Sequence, residues 1–143
     1  MQITKTLLAT LIAAATVAAV PVADVAERAV EWTIENMKRT CDSADKTCTW
    51  NFAVNTKSGN PTPCTMVVKA SGNNKASRAD GGPVQCGAFT VTSGWSGQFA
   101  EGFTTLAVVD HAKKLIIWPA YRDGQLKNGQ VVKPDISHTP TKI

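Results

Sequence analysis

From residue 30 onward apolar and polar side chains alternate with a period close to two, and β-branched and aromatic residues fill many of the apolar positions. This pattern predicts strands, because successive side chains of an extended chain point to opposite faces. In the first predicted strand Val30, Trp32 and Ile34 share one face and Glu31, Thr33 and Glu35 the other, and the alternation fades at Met37-Lys38-Arg39. The second, over residues 47–56, sets Cys48, Trp50, Phe52 and Val54 against Thr49 and Asn51. Two prolines in Ser58-Gly59-Asn60-Pro61-Thr62-Pro63 remove ladder donors and predict a turn, after which residues 64–69 resume a strand.

Residues 70–83 hold Gly72, Asn73, Asn74, Gly81 and Gly82 and show no apolar period, which predicts a long polar surface loop, the most mobile segment of the domain. A fourth strand is expected over 86–93 and a short fifth over 94–99. Residues 103–109 and 114–118 form a hairpin across Asp110-His111-Ala112-Lys113; both runs are apolar on two faces and so belong in the middle of a sheet. Asp123-Gly124, Asn128-Gly129 and Pro134-Asp135 are turn signals that leave only residues 130–133 for a last strand, with the tail from His138 frayed. The predicted fold is all-β, a small antiparallel β-sandwich or β-barrel of seven or eight strands with two disulfides. Its core is Trp32, Ile34, Trp50, Phe52, Val54, Met66, Val68, Phe89, Val91, Leu106, Val108, Leu115 and Ile117.

The N-terminus follows a different pattern. Lys5 precedes an apolar run over residues 7–19 that ends in Ala18-Ala19, the arrangement of a secretory signal peptide. The run is shorter than the ~20 residues a membrane-spanning helix needs, and no transmembrane segment is predicted elsewhere. Residues 1–19 are therefore read as a signal peptide, 20–28 as a short leader or flexible N-terminus, and 29–143 as a single β domain, secreted and extracellular. Without the signal the chain carries fourteen Lys and Arg against eleven Asp and Glu, a formal charge of +3. The basic residues are scattered, with Lys38-Arg39 and Lys113-Lys114 the only adjacent pairs, both read as surface charge; no nucleic-acid partner is expected.

Export changes the reading of Cys41, Cys48, Cys64 and Cys86. An even count in a small secreted domain predicts two disulfides, whereas intervals of six, fifteen and twenty-one residues contain no C-x₂-C zinc knuckle. Four cysteines allow three pairings. The short loop over residues 42–47 favours Cys41 with Cys48, and hence Cys64 with Cys86, over the other two.

Catalytic motifs are absent: there is no H-E-x-x-H, G-x-S-x-G or phosphate-binding glycine loop, and no cofactor, metal or catalytic residue is expected. Asp110-His111 is the one acid beside a histidine, but it falls in a predicted turn, where a solvated histidine is the first reading. Glu31 and Glu35 on one strand would stand ~13 Å apart, too far for either glycosidase geometry. Trp95, Trp118 and Tyr121 lie beside Gly or Pro near predicted strand ends. Core or edge packing is the first reading for these three rings, and a surface that stacks on a glycan is the alternative.

The order Trp32-Thr33-Ile34, Cys41, Cys48-Thr49-Trp50-Asn51-Phe52, Pro63-Cys64, Cys86-Gly87-Ala88-Phe89-Thr90-Val91, Gly94-Trp95-Ser96-Gly97-Gln98-Phe99, Phe103-Thr104-Thr105-Leu106, Ile116-Ile117-Trp118-Pro119-Ala120-Tyr121 and Pro134-Asp135 resembles the small secreted fungal hypersensitive response-inducing elicitors. The chain is also distantly similar to the Alternaria major-allergen β-barrel family. The first resemblance implies a fungal effector that acts without catalysis on a plant cell-surface or apoplastic component, inducing defence responses and hypersensitive cell death. It supplies no catalytic residues. The alternative function is a secreted carbohydrate-binding or cell-wall-associated module.

Overall fold

The computed structural model describes residues 30–98 and 100–143, and the expected signal peptide and leader lie outside the described residues. Glu31–Ile143 forms one compact unit. Ten strands follow in order: β1 (Trp32–Cys41), β2 (Thr47–Asn55), β3 (Thr62–Lys69), β4 (Gly81–Cys86), β5 (Phe89–Ser96), β6 (Phe103–Asp110), β7 (Leu115–Ile117), β8 (Ala120–Arg122), β9 (Ile136–His138) and β10 (Thr141–Lys142). They make two antiparallel sheets, a four-stranded one ordered β3-β2-β1-β9 and a six-stranded one ordered β10-β7-β6-β5-β4 with β8 also paired to β6. The inner faces share one core, in which the Trp32 and Phe89 rings meet edge to face at 5.3 Å. Every predicted core residue is buried there except Leu115, which packs against the cluster while partly exposed.

Both disulfides form as favoured, Cys41–Cys48 and Cys64–Cys86. The first closes the β1–β2 hairpin; the second joins β3 of one sheet to β4 of the other.

The structure has ten strands among the described residues against the expected seven or eight, and the elements differ in three places. Residues 86–93 are not one strand: Cys86 and Phe89 pair across a two-residue turn, with Gly87 at φ +56°, so β4 and β5 are a hairpin. The short strand expected over 94–99 is instead the end of β5, through Ser96. The tail is not frayed, since β9 pairs with β1 and β10 with β7, which ties the last residues to both sheets. Segments of two or three residues are too short to show a period.

The fading of the pattern at Met37 is a β-bulge. The register of β1 on β2 shifts between Glu35 and Lys38, and Asn36 takes φ +54°, a conformation that asparagine tolerates better than most residues. The bulge switches the inward set from even to odd numbers, so that Met37 is 1 % exposed and Arg39 only 8 %. Arg39 is thus not the surface charge expected of it: its guanidinium lies over the Trp50 ring, 5.5 Å from the centroid.

The segment expected as a polar loop over 70–83 does stay mostly exposed, but it is anchored to the fold at several points. Its tip closes by Ser71 N–H to Asn74 O at 3.0 Å and Asn74 N–H to Ser71 O at 2.9 Å. Ala76 and Ala79 are buried around a 3₁₀ turn, Ala76–Arg78, and the Asp45 carboxylate accepts from Ser77 N–H at 2.8 Å and Ser77 Oγ at 2.5 Å. Gly81 and Gly82 already belong to β4. A Cβ on Gly82 would meet Val91 O, which explains the glycine.

Candidate functional site

The three aromatic residues singled out in the sequence do not form one platform, because strand parity separates them. Val108 pairs with Ile117 and Thr105 with Ala120, so β7 and β8 keep a single register along β6. The interruption at Trp118-Pro119 is local: proline offers no N–H, yet Leu106 N–H still reaches Pro119 O at 2.7 Å. Along this composite strand Ile117, Pro119 and Tyr121 point inward and are fully buried, while Trp118, Ala120 and Arg122 point outward and are exposed.

Tyr121 is accordingly corrected from a surface candidate to a core residue, 1 % exposed. Burial pushes its phenol pKa well above the ordinary value, with Asp135 adding to the rise. Its hydroxyl is buried without a hydrogen-bond partner.

Trp95 is half-buried in a pocket of its own. Its indole Nε1–H donates to the Asp123 carboxylate at 3.1 Å, and the Arg78 guanidinium stands 5.2 Å from the ring centroid. Gly97 and Gly102 flank the ring so closely that a Cβ on either would strike it. This packing explains Gly97 of the Gly-Trp-Ser-Gly string.

Trp118 is different, at 50 % exposed. It stands on the outer face of the six-stranded sheet, in a cross-strand row with Ala107 and Thr92, since Thr92 pairs with Ala107 and the β6 register places Trp118 beside Ala107. The next row runs Gln85, Thr90, Val109, Ile116 and Thr141; on the other side come Gly94, Thr105 and Ala120. None of these residues is ionisable; Arg122 brings charge in the row beyond Ala120, and the exposed His111 and Lys114 lie in the turn past Val109 and Ile116. The four-stranded sheet presents Glu35, Lys38 and Lys69 on its outer face instead.

Asp110, beside His111, and Asp45, beside two cysteines, make structural hydrogen bonds. Asp110 is buried and accepts from Lys113 N–H at 3.1 Å, holding the turn in which His111 is exposed. Cys41, Asp45 and Cys48 converge, but both sulfurs are joined to each other and Asp45 serves Ser77, so the cluster offers no thiolate. An open hollow of about 540 Å³ beside them is lined by Arg39, Asp42, Asp45 and Lys75 among others, a balanced set of charges. Burial lowers the Arg39 pKa from its ordinary value while Asp123 and Asp45 oppose the shift.

The fold defines a disulfide-stapled β-sandwich protein of two antiparallel sheets around one core. A family model described as Effector TSP1 matches residues 33–143, and the chain is 54 % identical to Effector TSP1 of Hypocrea virens over 148 residues, covering 100 % of this chain and 99 % of the relative. The chain belongs to the Effector TSP1 family, a family of fungal effectors. Effector membership implies secretion, and two disulfides fit an oxidising, extracellular setting.

Proposed function

We propose that this protein is a secreted elicitor that plant cells perceive at their surface or in the apoplast, answering with defence responses and hypersensitive cell death, and that it acts by surface recognition without catalysis. The observation that carries this reading is the contrast between a neutral sheet face displaying Trp118 and the commitment of Asp110, Asp45 and Asp123 to structural hydrogen bonds. Recognition spreads over several contacts, whereas catalysis fails when one general acid or base is lost.

Infiltration of the purified, folded protein into leaves tests it, beside a reduced and alkylated sample. His111→Ala and Asp110→Asn, each folded by circular dichroism, are expected to provoke cell death at near-parental dose. A folded His111→Ala protein that is inert overturns passive recognition. Replacement of the exposed tip at residues 71–75 leaves the buried Ala76 and Ala79 in place, and is expected to weaken the response. A second reading, a carbohydrate-binding or wall-associated module, is favoured by the half-exposed Trp118.

A further inference from the structure

The outer face of the six-stranded sheet has the makings of a specific ligand surface. It is a sheet surface, so its side chains stand in rows at the spacing of the strands. Trp118 ends its cross-strand row, beside Ala107, with an indole N–H that makes no hydrogen bond among the described residues. Thr105 stands diagonally from it on the adjacent β6 and Thr92 two strands away beyond Ala107, and both bring hydroxyls that donate and accept. Beyond them Thr90 Oγ1 donates to Gln85 Oε1 on this face, at 2.8 Å.

Three properties narrow the ligand. The absence of ionisable side chains across the Trp118 row and both neighbouring rows gives no counter-charge for an acidic polysaccharide, a phosphate or an anionic lipid. The rows span about 20 Å by 20 Å from strand spacing and rise, roughly 400 Å². A stable dimer needs ~800 Å² on each partner, so a second copy of this chain is poorly served. A pyranose whose hydroxyls are all equatorial has one requirement that this face meets: an aromatic surface for its apolar C–H face, ringed by groups that exchange hydrogen bonds with its rim.

We infer that this face binds an uncharged β-linked glucan chain, with a sugar ring stacked on Trp118 beside Thr105 and the chain continuing across Ala107 toward Thr92. The inference rests on the reading of the protein as a surface-recognition module and names the ligand of its neutral face.

Isothermal titration calorimetry of the purified full-length secreted protein with cellohexaose tests it, with polygalacturonate as the anionic control and anionic lipid vesicles as a second probe. Cellohexaose is expected to bind and the other two are not. Trp118→Ala should bind about tenfold more weakly, and Ala107→Glu, which sets a charge beside the ring, should bind weakly as well, both with unchanged circular dichroism. Three results overturn the inference: unaltered affinity in folded Trp118→Ala, tighter binding of polygalacturonate or vesicles than of cellohexaose, or a dimer in sedimentation that Ala107→Glu converts to monomer. Leaf assays on the same variants separate the two readings. A Trp118→Ala protein that loses glucan binding yet still provokes cell death keeps the glucan site and removes it from elicitation; one that keeps glucan binding and loses cell death does the reverse.

Discussion

The two sheets of the sandwich share one core and present opposite kinds of surface. On the outer face of the four-stranded sheet polar groups engage each other: Asn55 Nδ2–H donates to Glu35 at 2.7 Å, Thr65 Oγ1 to Asn51 at 2.9 Å, and Thr33 Oγ1 meets Ser137 Oγ at 2.7 Å. Lys57 adds a further bond to Thr33 at 3.0 Å. That face is charged, solvated and internally satisfied. The six-stranded sheet is the reverse, neutral and rich in threonine, with one exposed tryptophan. Strand pairing alone would tolerate either surface, so the difference points to a use for the neutral one.

The comparison is tested most severely along β6, where adjacent residues face the core and the outer surface. Leu106→Ala empties a fully buried position and should cost about 3 kcal/mol in urea unfolding, whereas Ala107→Glu on the opposite face should change stability by less than about 0.5 kcal/mol. Equal losses would mean that the outer face is covered in the native protein. Next come the staples. Cys64–Cys86 spans 22 residues and joins the sheets, so replacing both cysteines with alanine should cost about 3 kcal/mol; Cys41–Cys48, spanning 7 within one hairpin, should cost about 2 kcal/mol. The reverse order would show that the sheets hold together by core packing with little help from the cross-link.

A smaller effect follows pH. His138 on β9 sits against Trp32 with Nε2 buried and unpartnered, and burial lowers its pKa below the ordinary 6.5, Glu31 opposing the shift. The unfolded chain then binds the proton more readily, so this contribution to stability is complete above pH 6.5 and declines as pH falls toward the folded pKa. His138→Gln should flatten that part of the stability profile. The least effect is expected at the composite strand: Tyr121→Phe removes a buried hydroxyl without a partner and should leave stability unchanged or raise it by up to ~1 kcal/mol, and Trp118→Ala should be neutral within about 0.5 kcal/mol. A large loss in Trp118→Ala would mark the ring as structural and remove the contrast.

Much of this was legible residue by residue. Alternation in β2 placed Trp50, Phe52 and Val54 inward, and the short loop between Cys41 and Cys48 favoured the pairing that the structure shows. The site was less legible. A tryptophan beside a proline reads as a strand end, and nothing local reveals that β7 and β8 continue one another past Pro119.

By itself the sequence determined the all-β class, most of the core and the two staples, because period two, turn residues and an even cysteine count act over a few neighbouring positions. Tertiary structure decided which face each residue took wherever that local rule was broken. The bulge at Asn36 turned Met37 and Arg39 inward, long-range pairing drew β9 and β10 into opposite sheets, and the register of β6 put Tyr121 in the core and Trp118 outside. One inserted residue reverses every side chain beyond it, and only the partner strand reports the insertion.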